Sequence, residues 1–146
     1  EVLKPCIKRL NRPEARVRFA EELTQYSKCA FDISDGLVAD LGHVLSASHC
    51  GACIDLTAIP VSSSAKHYFK QYHNNKMDWS MLLTSGDDYE LCFTVSNENE
   101  SAVLALAEKH QLQISCIGEV TDSDELVFID DNNKPFAFTN SGFKHF

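Results

Sequence analysis

The sequence holds no long apolar run. No stretch approaches the roughly 20 residues that a membrane-spanning helix needs, and the opening EVLKPCIKRL lacks the apolar block of a secretory signal. The expectation is a cytoplasmic protein with no membrane partner. Basic residues are scarce as well, with 13 Lys and Arg against 21 Asp and Glu for a formal charge of −8. Nucleic-acid binding relies on clusters of Lys and Arg to displace counterions from phosphates, so no nucleic acid is expected as a partner. Small phosphorylated ligands stay open, because bridging Mg²⁺ and backbone N–H groups hold phosphate without basic side chains.

Phosphate-binding signatures of the common kinds are missing too. There is no G-x-x-x-x-G-K-[ST] loop and no G-x-G-x-x-G fingerprint, so ATP, if it binds, is held in another way. No internal repeat and no low-complexity tract occurs. Six cysteines are present, and four of them, within apolar runs, read as buried thiols packing as small hydrophobes. Cys50 and Cys53 have the C-x-x-C spacing of thiol redox sites. They fall between the end of a helix and the start of a strand, the reverse of the arrangement that activates a thioredoxin-like thiolate. No second close pair of Cys or His accompanies them, as a four-ligand zinc site requires, and His43, His49, His67 and His73 read as surface residues.

At 146 residues with 44% hydrophobic content, the chain is large enough for one globular domain with its own core. It begins at Glu1, and residues 1–12 read as the end of a connection from something upstream, with a single domain over 13–146. Pro13 with Ala15, Phe19, Leu23 and Tyr26 at helical spacing predicts a helix over about 13–27. Cys29 to Ile33 reads as a strand leading into a helix with Leu37, Leu41, Val44, Leu45 and Ser48 on one face. Ala52 to Leu56 alternates as a strand, and the serines at 62–64 cap a helix through about Tyr72. Tyr89 to Val95 is a strand with Leu91, Phe93 and Val95 on one side. Asn97 and Glu100 resemble a capping box opening a helix that ends near Lys109 and His110. Leu112 to Ile117 and Leu126 to Ile129 read as further strands. The fold class is therefore α/β (α+β), a mixed β-sheet with helices packed on it.

Two acidic clusters fall at strand ends. Asp32-Ile33-Ser34-Asp35-Gly36 places two carboxylates and a hydroxyl where a strand gives way to a helix, a frequent ligand position. The carboxylates suit Mg²⁺, while the Ser34 hydroxyl and free N–H groups at the helix start suit phosphate oxygens. The same residues also suit a plain N-cap beside a solvated Asp32. In Ser85-Gly86-Asp87-Asp88-Tyr89-Glu90 the acidic oxygens can accept hydrogen bonds from a polar or cationic ligand, and the same composition also makes a solvated turn.

Taken together, Ala30-Phe31-Asp32-Ile33-Ser34-Asp35-Gly36-Leu37, Asp40-Leu41-Gly42-His43 and Ser85-Gly86-Asp87-Asp88-Tyr89-Glu90-Leu91 resemble the thiamine-monophosphate kinase family in order and separation. Arg12-Pro13, Ile117-Gly118 and the terminal Gly142-Phe143-Lys144-His145-Phe146 extend the resemblance over nearly the whole chain. It implies the C-terminal domain of the aminoimidazole ribonucleotide synthetase-like fold, with the N-terminal domain that carries most of the nucleotide and metal site missing here. It further implies a transferase that moves the γ-phosphoryl group of ATP onto thiamine monophosphate, with Mg²⁺, in an enzyme that is a homodimer at full length. By the same resemblance Asp32 and Asp35 are metal ligands, Ser34 contacts ATP, and Asp87 and Phe143 contact the thiamine phosphate. Two positions depart from the family's usual Gly-Gly-Glu-Asp-Tyr-Glu-Leu: Ser85 replaces its first glycine and Asp87 its glutamate. A C-terminal domain from a related synthetase that makes aminoimidazole ribonucleotide or selenophosphate is the nearest alternative, and a non-catalytic domain is another.

Overall fold

Leu37, Leu41 and Leu45 recur four residues apart, and each is only 5% exposed, so this stripe sets how its helix lies on the sheet. The computed structural model describes residues 3–138, and Phe143 lies outside them. The elements run α1 (Lys4–Asn11), α2 (Val17–Leu23), β1 (Cys29–Asp32), α3 (Leu37–Ser48), β2 (Gly51–Asp55), α4 (Ser63–Tyr72) and α5 (Trp79–Thr84). They continue with β3 (Leu91–Thr94), α6 (Glu100–Lys109), β4 (Gly118–Thr121) and β5 (Leu126–Ile129). Residues 4–11, read above as part of a connection, are thus a helix.

The strands form two sheets. β1 and β3 pair antiparallel as a two-stranded ribbon. In the other sheet β2 is central, antiparallel to β4 and parallel to β5, so the mixed character lies there. Two apolar clusters flank the ribbon. One joins the α3 stripe to Ala52, Ile54, Leu56, Leu83 and Phe128, with Phe31 and Cys92 packed on it. The other joins Phe19 and Leu23 of α2 to Val103, Leu106 and Ala107 of α6, with Leu91, Phe93 and Val95 against it. Phe31 stands opposite Cys92, and Ala30 opposite Phe93, so period-two alternation sends successive ribbon residues to different clusters.

Local chemistry sets the helix ends. The Ser62 hydroxyl accepts from the Ala65 N–H at 3.1 Å, and Asp78 Oδ1 accepts from the Met81 N–H at 2.9 Å, both N-caps. The expected capping box at Asn97 does not form. Residues Asn97–Asn99 make a 3-10 turn first, and Asn99, at the cap of α6, donates its amide to the Tyr26 carbonyl instead. α2 is shorter than its spacing predicts, since Arg16 leaves the helical conformation at its start and the chain tightens into i→i+3 bonds at Tyr26. Residues 112–117 do not form a strand. The next residues, Gly118–Thr121, form β4, while Leu112 and Ile114 pack on the α2–α6 cluster and Ile117 on the other.

Candidate functional site

Beyond the last pair of the ribbon, β1 and β3 stay bonded through the two acidic motifs. The Ile33 N–H donates to the Glu90 carbonyl at 2.9 Å, the Tyr89 N–H to the Ile33 carbonyl at 2.8 Å, and the Asp87 N–H to the Ser34 carbonyl at 2.8 Å. Residues more than fifty positions apart thereby share one edge. The approach depends on a glycine from each motif. A Cβ on Gly86 would lie 2.1 Å from the Ser34 carbonyl oxygen, and one on Gly36 would lie 2.9 Å from backbone atoms of Leu83, Thr84 and Ser85. Gly36 also has φ 102 and ψ 149, a conformation essentially reserved for glycine.

Neither Ser34 nor Asp35 caps α3. The N-cap is Gly36, without a side-chain bond, and Asp40 from the first turn reaches back to accept the Ser34 and Asp35 N–H groups on Oδ2 at 2.8 and 3.0 Å. Those two N–H groups are therefore committed to Asp40 and are not available to a phosphate. The Ser34 hydroxyl and the exposed Asp32 carboxylate have no hydrogen-bonding partner among the described residues.

Asp87 and Tyr89 both adopt left-handed backbone conformations, with φ 68 and φ 49. The Tyr89 hydroxyl donates to Asp87 Oδ1 at 3.1 Å. That bond raises the pKa of the phenol, and the charges of Asp87, Asp32 and Asp35 add to the effect. One carboxylate thus contacts the hydroxyl and two from the other motif add their negative charge, a setting that favours a cation or a hydrogen-bond donor. Among the described residues, no group of three or more His, Cys, Asp or Glu side chains is arranged to hold a metal ion. Ser85 fits where the kinase pattern has glycine: its backbone is ordinary extended chain (φ −84) and its hydroxyl bonds the Met81 carbonyl at 2.6 Å.

Behind this loop Glu90 is held by two arginines. Arg9 Nη2 lies 2.7 Å from Oε1, and Arg16 donates Nη2 to Oε1 at 3.0 Å and Nε to Oε2 at 3.1 Å. Burial works against the charge on Glu90, but the guanidiniums outweigh it and hold the carboxyl below its ordinary range. Asp40, Arg9 and Arg16 carried no role in the sequence reading. Motif order pointed only to the neighbourhood of Asp40, and nothing in the spacing pointed to the arginines. Cys50 follows the left-handed C-cap of α3, at the end of a helix that does not activate a thiolate, and all six cysteines are free.

Residues 8–131 match the family described as AIR synthase related protein, C-terminal domain. The chain belongs to this family. Among relatives of this AIR synthase related domain, a thiamine-monophosphate kinase from Buchnera aphidicola subsp. Schizaphis graminum is 39% identical over 140 residues. The alignment covers 96% of this chain, which spans 42% of that relative's length. A crystal structure of thiamine-monophosphate kinase from Stenotrophomonas maltophilia K279a superimposes with a TM-score of 0.74 at 34% identity, covering 83% of this chain and 37% of that one. A structure described as AaThiL complexed with AMPPCP and TMP gives 0.73 at 30% identity, covering 96% and 40%. The resemblance drawn from the motifs and the fold class are both met in these relatives. No helix among the described residues is long and apolar enough to cross a membrane.

Proposed function

We propose that this chain supplies one part of the site of a thiamine-monophosphate kinase, which transfers the γ-phosphoryl group of ATP to thiamine monophosphate and yields thiamine diphosphate. The carrying observation is the joined pair of motif loops: Asp32, Ser34 and Asp35 on one side, Asp87 and Tyr89 on the other, bonded backbone to backbone. A site that must align two phosphorylated molecules needs groups for each fixed to one frame. Relatives of 34% and 39% identity named as this kinase support the reading, as does AaThiL, 30% identical and solved with AMPPCP and TMP.

In this reading Asp32 and Asp35 hold Mg²⁺ and the Ser34 hydroxyl donates to a phosphate oxygen of ATP. The donor set fits: Mg²⁺ takes hard oxygen ligands, commonly one or two carboxylates with phosphate and water completing the shell. Bound there, the ion would offset the charge of the two anionic reactants. Asp87 orients the thiamine phosphate, with Tyr89 fixing its carboxylate, and Phe143 adds an aromatic contact. Asp87 is one methylene shorter than the family's glutamate; it stands on a left-handed turn and accepts from the Tyr89 hydroxyl. No protein nucleophile takes part, since positioning and charge stabilisation account for phosphoryl transfer. The full-length enzyme is a cytoplasmic homodimer in the same reading, which light scattering tests.

The decisive assay follows thiamine diphosphate formation by the full-length protein and by its Asp32→Asn and Asp35→Asn variants. Each is expected to lose about 100-fold or more in kcat, with a raised Mg²⁺ requirement, as removal of a charged group acting in the transition state does. Undiminished turnover in both variants would remove their metal role. Calorimetry with MgATP and thiamine monophosphate separates a catalytic domain from a non-catalytic one.

A further inference from the structure

Glu90 touches neither proposed ligand side, yet it is the most heavily bonded carboxylate around the site. Arg16 grips it in a two-pronged fork from the start of α2, and Arg9 reaches it from α1. Arg9 does more than pair with Glu90. The same Nη2 also donates to the main-chain carbonyls of Asp88 at 3.2 Å and Tyr89 at 3.4 Å. Its Nη1 is buried without a partner, so Nη2 carries all of its bonds to the loop. The segment so gripped contains two non-glycine residues in left-handed conformations, Asp87 and Tyr89. Such conformations persist only where the surroundings over-determine them. Local sequence does not do so here: the Asp87 and Tyr89 N–H groups are tied to the Ser34 and Ile33 carbonyls, and two arginines distant in the chain grip the residues that follow.

We propose that Glu90, clamped by Arg9 and Arg16, is a positioning residue: it fixes the 85–90 loop so that Asp87 and Tyr89 face the thiamine phosphate. This rests on the kinase reading above. The effect should be selective for one substrate, because the other side of the site has its own anchor. Ser34 and Asp35 are held by Asp40 of α3 through their N–H groups, a tie that does not pass through Glu90. The two loops also share backbone bonds at Ile33 and Ser34, but loosening Glu90 leaves Asp87 and Tyr89 with those bonds alone, while Ser34 and Asp35 keep Asp40 as well.

The experiment uses the full-length protein with Glu90→Gln, which removes the charge but keeps the size, and Arg16→Lys, which keeps the charge but loses the fork. The expected result is a KM for thiamine monophosphate raised about tenfold, with kcat and the KM for MgATP within about twofold of the parent. Equal changes for both substrates, or no change, would overturn the proposal. A second arm needs no substrate: hydrogen exchange followed by mass spectrometry. Faster exchange at residues 85–90, with the Asp40-held amides of Ser34 and Asp35 and the melting temperature unchanged in Arg16→Lys, supports positioning; unaltered protection of 85–90 refutes it. If the parent protein makes no thiamine diphosphate, the kinase reading fails and the exchange arm still decides whether Glu90 positions the loop.

Discussion

Asp88 and Glu90 are two residues apart, yet their carboxyls are driven in opposite directions. Asp88 as a whole is exposed, but protein crowds its carboxyl, and the resulting desolvation lifts its pKa to about 6, with Glu90 and Asp87 adding and Arg9 opposing. Unfolded, the same group titrates near 3.8. Between those values the folded chain holds a proton that the unfolded chain has lost, so stability falls as pH rises through this window. Asp88→Asn is expected to match the parent near about pH 4 and to melt at a higher temperature above about pH 6. Glu90 has the reverse sign. Its depressed pKa contributes stability that is present above the ordinary 4.5 and lost as pH falls through the folded value. Glu90→Gln should therefore be destabilised at neutral pH and converge on the parent in acid. Thermal melts of the three proteins across the acid range check both signs; curves that stay parallel would refute them. The motif aspartates were legible because their chemistry is local. The arginines were not, because Arg16 and Arg9 lie 74 and 81 positions from the carboxylate they hold.

Elements whose signals are local were read correctly: α3 from its leucine stripe, α4 from the Ser62 cap, β2 and β5 from alternation and flanking turns. Residues 112–117 have the apolar character of a strand but join the sheet only at their last residue, where the Ile117 carbonyl accepts from the Asp55 N–H, because a strand exists only against a neighbour that the sequence does not name. Gly36, Gly86 and Gly42 separate two reasons for lacking a side chain. Gly36 and Gly86 are where the two motif loops meet, and a methyl group at either would collide with backbone. Gly36→Ala and Gly86→Ala are each expected to cost about 2 kcal/mol or more, from strain and enforced displacement. Gly42, inside α3, has nothing within 4 Å of where its Cβ would be. Gly42→Ala should stabilise by about 0.5–1 kcal/mol through helix propensity alone. Urea denaturation of the three variants reads these differences. A stabilising Gly86→Ala would contradict the close approach of the loops.

At the scale of the molecule the site sits at one end of the ribbon, between two apolar clusters, and its own charges decide what this chain can do alone. Phosphoryl transfer between ATP and a second phosphate requires that the repulsion between two anions be offset. The described residues around the loops contribute carboxylates, Asp32, Asp35 and Asp87, on a chain already at −8. Arg9 and Arg16, behind the loop, are spent on Glu90. Nor do the described residues gather three ligands for a metal. Two carboxylates leave a Mg²⁺ ion dependent on phosphate, water or ligands from elsewhere for its remaining positions. The 146-residue chain is therefore expected to show no measurable conversion of thiamine monophosphate to thiamine diphosphate, whatever the Mg²⁺ concentration. The same residues within the full-length protein should turn over and respond to Asp32→Asn. A coupled assay that follows ADP release from both proteins makes the comparison. Turnover by the chain alone would mean that the anions are balanced within it, and the assignment of Asp32 and Asp35 as a partial metal site would fall.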